Sequence, residues 1–314
     1  MKPQTETTNP NRTVLRDTFQ TEQRKLWGLC YRITGNSADA DDIVQDTFLR
    51  LAEQPPPDLE RTPRAWLTRV AVNLARDSLR RRKRVQYTGP WLPSPVETSH
   101  VCPTDAEARY GTLESITMGF LLALELLSDL QRAVIVLRDV YGMSVAEAAS
   151  ALSVSSNNVK VAHHRARELM RDYDKDPVCP DAALRARTES AIGRLLHCLA
   201  ANDRSGLLSL LHPDAVSRTD GGGEFLAALQ PIVNSDRVSR FLVGISPPNR
   251  QRSVRPLLLN GLPGLFIEQP PSRPRMAPRG SLSIDVDSHG QIRSLYAVYN
   301  SRKLHQLITT TAPT

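Results

Sequence analysis

Cysteine is scarce and scattered. The four thiols, Cys30, Cys102, Cys179 and Cys198, form no C-x-x-C pair, which excludes the framework of a disulfide-stapled secreted domain and the usual spacing of a structural zinc site. They read as reduced, mostly buried thiols, and no cofactor or metal is implied. Long apolar runs are missing too, so no membrane segment is expected. Met1 to Arg12 is polar and lacks the apolar stretch of a secretory signal. A cytoplasmic location is therefore the expectation. No internal repeat is visible, and 314 residues exceed one small module, leaving room for two or three separate cores.

What the chain does have is basic charge in one place. Forty Lys and Arg face 33 Asp and Glu, a net +7, and the excess is concentrated between Arg76 and Arg84. Around it the apolar residues recur at three and four positions. Phe19, Leu26, Leu29 and Ile33, then Ile43, Val44, Phe48 and Leu51, predict amphipathic helices. Gly35-Asn36 supplies a left-handed exit from the first helix, and Pro55-Pro56-Pro57 stops the second after Glu53. Thr62-Pro63 reads as cap and first turn of a third helix running to about Lys83. A helical domain over 13–86 follows, then a proline-rich linker over 87–104.

Helical periodicity returns over 105–175, where Ser128 to Gln131 and Ser144 to Glu147 form two capping boxes. Residues 184–308 differ. Helices over Ala186 to Ala201 and Ser205 to Leu211 precede candidate strands at Ala215 to Thr219, Val254 to Asn260, Leu265 to Gln269, Leu282 to Val286 and Ile292 to Tyr299. Gly261 to Gly264 and Asp287 to Gly290 read as hairpin turns, and the whole as an α+β domain.

The segment Val134 to Arg171 holds a pattern of the size of a helix-turn-helix: a first helix over Val145 to Leu152, a turn over Ser153 to Ser156, and a second helix over Asn157 to Arg171. Ser155, Ser156, Asn157, Asn158, Lys160, His163, His164, Arg165 and Arg167 are its candidate duplex-reading residues, because amides read adenine edges and cations bind guanine or phosphate. On the earlier helix, Trp66, Asn73, Arg76 and Arg80 mix aromatic, amide and charge, which suits unpaired bases and phosphates. Polar residues at helical spacing are also what any solvated face looks like. Asp39, Asp41, Asp42 and Asp46 crowd one helix start; acids there are mildly stabilising by themselves and also suit docking on a basic partner.

Those residues carry a family resemblance. Ala40-Asp41-Asp42-Ile43-Val44-Gln45-Asp46-Thr47-Phe48-Leu49-Arg50 resembles sigma region 2 of the sigma-70 family, and Pro63 to Leu67 with Asn73 to Asp77 resembles its adjoining −10 reader. Gln131 to Gly142 with Ala146 to Ala149 resembles region 4. The resemblance implies that Asp39, Asp42, Gln45 and Asp46 hold core RNA polymerase, that Trp66, Asn73, Arg76 and Arg80 meet the −10 strand of promoter DNA, and that Ser155 to Arg167 meets the −35 duplex. It also implies that the loop Gln54 to Thr62 captures a flipped base.

Beyond Tyr173 the chain resembles the extracytoplasmic-function subgroup with a fused domain similar to SnoaL cyclases and nuclear transport factor 2. Trp91-Leu92-Pro93, Asp220-Gly221-Gly222-Gly223-Glu224 and Asn300-Ser301-Arg302-Lys303-Leu304 carry that likeness. Glu224 stands where the pattern has Lys, and Ser301-Arg302 where it has Pro-Asp. The implied fold is two all-α sigma domains followed by a SnoaL-like α+β domain that contacts and regulates them from within the chain, with a small-molecule ligand possible and no catalysis. Two other readings stay open: an enzyme using His212, Asp214 and Asp220 as acid or base, and a DNA-binding regulator with a ligand-binding or cyclase/isomerase-like C-terminal domain.

Overall fold

A computed structural model of the chain describes residues 10–56, 63–104, 108–246 and 251–309. Helices α1 (Pro10–Thr34), α2 (Ser37–Glu53) and α3 (Pro63–Arg84) open the fold. Gly35 has φ +67° and closes α1, and Asn36 caps α2 by accepting from the amides of Ala38 and Asp39. Helix α2 buries Ala40, Ile43, Val44, Thr47 and Leu51, so its acids are left on the other face. Helix α3 buries Leu67, Ala71, Val72, Ala75 and Leu79 along one stripe.

Five further helices follow: α4 (Met118–Ala123), α5 (Asp129–Ile135), α6 (Val145–Leu152), α7 (Ser156–Leu169) and α8 (Arg171–Lys175). Both expected capping boxes form, Ser128 with Gln131 and Ser144 with Glu147. The tight turn between α6 and α7 passes through Ser153 at φ +54°. One continuous apolar core joins the two helical blocks, from Leu26 and Leu67 through Phe120 and Val134 to Met170.

The third unit comprises α9 (Ala182–Ala200), α10 (Arg204–Leu210), β1 (Leu211–Asp220), β2 (Ile232–Val233), α11 (Ser235–Ile245), β3 (Ser253–Leu259), β4 (Leu262–Glu268), β5 (Arg279–Val286), β6 (Ile292–Val298) and α12 (Ser301–Thr309). The sheet runs β2-β1-β6-β5-β4-β3, antiparallel except where β1 pairs parallel with β6. Because side chains alternate along each strand, the sheet has two apolar faces. One carries Ala215, Leu265, Ile284 and Leu295 and packs on α9, α10 and α11. The other carries Phe266, Tyr296 and Val298 and packs on Leu92, Met118, Leu304 and Leu307. The sheet is thus the middle layer, with its own helices behind it and the linker, α4 and α12 in front.

Several elements differ from the sequence reading. The β3–β4 turn is Asn260-Gly261, both at positive φ, and Leu262 to Gly264 already pairs with β3; an Asn-Gly hairpin is the stronger turn signal. Helix α11 and strand β2 went unread, although Asn234 caps α11 by accepting from Arg237 N and Val238 and Leu242 sit at helical spacing. The proline-rich linker is no loose tether, since Leu92 to Val96 is buried. The Asp287 to Gly290 turn forms as expected, with the Asp287 carboxylate accepting from the amides of His289 and Gln291. Of the flipped-base loop, residues 57–62 lie outside the described residues.

Candidate functional site

The acidic face of α2 does not stand open. Helix α12 lies against it, and Arg302 donates to Asp42 at 3.1 Å and pairs with Asp39 at 3.5 Å. His305 Nε2 donates to Asp41 at 2.8 Å while its Nδ1 donates to the Arg302 carbonyl at 2.9 Å. An imidazole that donates from both nitrogens is protonated, and its pKa is raised by the Asp41 hydrogen bond against the opposing effect of burial. Asp41 also accepts from Gln306 and from Trp27 Nε1, and Asp39 from Ser78 Oγ at 3.0 Å. Gln45 and Asp46, further along α2, are exposed.

The residues assigned to the −10 strand are engaged by the second helical block. Arg76 is buried and donates to Asp129 at 3.2 Å and to the Leu152 carbonyl. Arg80 reaches the same Asp129 at 2.9 Å, and Asn73 bonds the Arg69 and Ala151 carbonyls. Trp66 is half-buried against the shared core. The helix assigned to the −35 duplex is open by contrast. Ser156, Asn157, Asn158, Lys160, His164 and Arg165 are exposed, and Ser155 spends its hydroxyl capping α7. His163 and Arg167 are half-buried and turned onto Asp139.

The linker motif and the two motifs of the C-terminal extension meet at one carboxylate. Asp220, fully buried at the end of β1, accepts from Tyr87 Oη at 2.6 Å, Leu92 N at 2.9 Å, Lys303 Nζ at 2.6 Å and Gly222 N at 2.9 Å. Lys303 also donates to the Leu92 carbonyl at 2.6 Å. Its pKa is lowered to about 8 by burial, with Asp220 opposing. The Trp91 ring carries two cations, Arg82 over it at 3.9 Å and Lys303 at 4.2 Å. Pro93 is buried beside it, and Leu304 packs with Leu92 in the front core. Gly222, at φ +60°, lies so close to Asn300 that a Cβ there would meet its side-chain nitrogen at 2.1 Å; only glycine fits. A Cβ on Gly221 would similarly meet the Phe225 carbonyl, and Gly223 at φ +75° faces Thr88.

The two departures from the motif pattern complement each other. Glu224 accepts from both the amide and the hydroxyl of Ser301, at 3.3 Å and 2.9 Å, at the start of α12. Sequence reasoning missed several partners. Asn260 donates to Tyr31 Oη and to the Ile116 carbonyl, each at 2.7 Å, and accepts from Val96 N at 3.0 Å. Arg82 joins the Thr34 carbonyl to Glu125, which also pairs with Arg132. Only the Asn-Gly turn signal pointed to Asn260; nothing in its neighbours tells that its amide crosses into two other units. The proposed acid-base trio does not converge. His212 accepts from the Asp214 amide on an outer turn of β1, whereas Asp220 faces the linker.

Comparison with known proteins gives this arrangement its class. Residues 18–85 match Sigma-70 region 2 and residues 118–170 match Sigma-70, region 4, the pair of modules that defines a sigma-70-type transcription initiation factor. Among curated proteins the chain is 35% identical over 235 residues to the ECF RNA polymerase sigma factor SigJ of Mycobacterium tuberculosis, covering 72% of each chain. It is 32% identical over 161 residues to SigW of Bacillus subtilis, 48% of this chain and 84% of that one. Among solved structures, the crystal structure of the Mycobacterium tuberculosis extracytoplasmic function sigma factor SigJ superposes with TM-score 0.68 at 29% identity, covering 93% of this chain and 98% of that one. The chain belongs to the extracytoplasmic function sigma factors. It is a transcription initiation factor that works with core RNA polymerase at promoter DNA, and it carries an α+β domain after its two sigma regions.

Proposed function

We propose that this sigma factor is held in a closed, restrained form by its own C-terminal domain and opens when core polymerase displaces α12 from α2. The observation that carries the reading is the pairing of Arg302 and His305 with Asp39, Asp41 and Asp42. Polymerase and α12 compete for the same carboxylates if Asp39, Asp42, Gln45 and Asp46 are its docking residues. Intramolecular docking at high effective concentration makes even modest ion pairs hard to displace.

Engagement of Asn73, Arg76 and Arg80 by the second helical block supports the same reading, because the −10 strand cannot use those groups until the blocks separate. The −35 residues are largely free, so initial duplex contact through α7 needs no opening. The C-terminal domain acts here by contact and without catalysis, in keeping with the separation of His212 and Asp214 from Asp220. Promoter affinity then depends on both elements and on polymerase together, and falls steeply with salt.

The test is Arg302→Glu. It repels Asp39 and Asp42, and core-polymerase affinity should rise about tenfold, about 1.4 kcal/mol, in a direct binding titration. Asp42→Arg also breaks the clasp yet removes a docking carboxylate, so it should bind polymerase more weakly than wild type. Unchanged affinity in both variants contradicts the competition.

A further inference from the structure

Helix α12 covers only the start of the acidic face of α2. The side chain of Asp39 is 19% exposed, that of Asp41 45% and that of Asp42 68%, so the cover thins along the helix and ends at Asp42. One turn further on, Gln45 and Asp46 are exposed, and their side chains make no hydrogen bond or ion pair with any described residue. Leu49 completes the stripe, since positions 42, 45, 46 and 49 share one face at helical spacing. It is 52% exposed. Phe48, the residue before it, meets Phe19 edge-on with 4.8 Å between ring centroids, and Phe19 is itself 39% exposed. Arg50 is the exposed cation nearest in sequence, and it forms no ion pair with Asp46. A stripe of carboxylate and amide with an apolar margin fits a partner surface that is basic and partly apolar. Promoter DNA does not fit it, because phosphates repel Asp46. The stripe continues the residues assigned to polymerase and lies inside the Sigma-70 region 2 match over 18–85, so core polymerase is its occupant.

We propose that the uncovered half of α2, Gln45, Asp46 and Leu49 with the Phe19 margin, is a landing site on which core polymerase makes its first contact with the closed chain. Landing there rests on the competition for α2 proposed above and sets its order. Stable binding still requires α12 to leave. Polymerase seated at Asp46 meets the Arg302–Asp42 pair first and the more covered His305–Asp41 pair after it, so the two are exchanged one at a time. A wholly covered helix would bind only after α12 had left by itself, at a rate that polymerase could not hasten.

Stopped-flow fluorescence anisotropy of the full chain, dye-labelled at its amino terminus and mixed with excess core polymerase, tests the order. The observed rate should climb in proportion to polymerase concentration, without a plateau. Asp46→Asn with Leu49→Ser should slow association about tenfold in the otherwise wild-type chain, but about twofold or less in Arg302→Glu, where the whole acidic face offers first contacts. Both side chains are exposed, so neither substitution disturbs the core. A plateau, or equal slowing in the two backgrounds, overturns the landing site and leaves the competition for α2 intact. No slowing in either background removes this face from the polymerase interface altogether. Failure of the competition shows separately, as an Arg302→Glu chain that binds polymerase no more tightly than wild type, and the landing site falls with it. Self-association of the full chain that Leu49→Ser abolishes assigns the face to a second copy and likewise overturns the proposal.

Discussion

Asp220 and Lys303 are 0% and 2% exposed, and a buried charge is tolerable only while its partners are in place. Removing Asp220 strands an ammonium whose other named partner oxygen is the Leu92 carbonyl. Asp220→Ala should therefore cost about 3–5 kcal/mol in urea unfolding, and Asp220→Ala with Lys303→Met distinctly less; a single-variant loss under about 1 kcal/mol would mean the pair does not hold the linker. Asp285 is the opposite case. Burial raises its pKa to about 6, against the hydrogen bond from Tyr296 and the charge of Arg218. The folded state thus prefers the neutral acid, and stability falls as pH rises from 3.8 to about 6. Asp285→Asn should be more stable than wild type above about pH 6, by about 1–2 kcal/mol, with the gain vanishing toward about pH 4. Thermal melts across that range check it. At this scale the sequence was legible where a motif declared itself, as at Asp220, Trp91 and Lys303. It was silent at Tyr87, Arg82 and Asn260, whose importance lies in partners 80 or more positions away or across a unit boundary, such as Tyr87 with Asp220 and Asn260 with Tyr31.

Helices whose ends are specified locally were readable, and those specified by packing were not. The helix-turn-helix and its capping box follow from Ser144, Glu147 and Ser153 alone. Helix α12 is strongly two-faced: Leu304 and Leu307 are buried in the front core while Arg302 and His305 reach α2. Short length hid it, although Asn300 caps it by accepting from the Arg302 and Lys303 amides. Its hold on α2 depends on pH through His305, which faces Asp41 with Asp42 nearby and the Arg302 carbonyl behind. Because the folded pKa is raised above 6.5, this contribution is fully present below that value and is lost as pH rises through the folded pKa. Amide exchange in α12 should accelerate on going from about pH 6 to about pH 8 by more than the intrinsic pH effect, and His305→Gln should remove the excess. Equal excess in the two proteins would contradict the assignment.

In the whole molecule three units are tied at two knots, one around Asp220 and one around Asn260, with the linker threaded through both. That explains why a proline-rich segment with no periodicity is buried: Leu92 to Val96 serves as filling between the sigma core and the sheet. The resemblance to sigma regions made the domain order legible and implied contact between the C-terminal domain and the sigma regions, but the pairing of α12 with α2 was not legible, because their charge complementarity spans some 260 positions and leaves no local trace. Glu97 pairs with Leu259 across the linker and β3, remote from α2, so it offers a reversible lock. In a chain carrying Glu97→Cys and Leu259→Cys, with Cys102 and Cys179 changed to Ser, core-dependent transcription from a promoter with −35 and −10 elements should be lost on oxidation and recovered on reduction. Equal transcription from the oxidised and reduced forms, with the crosslink verified, would contradict the claim that the C-terminal domain must be displaced before polymerase can bind.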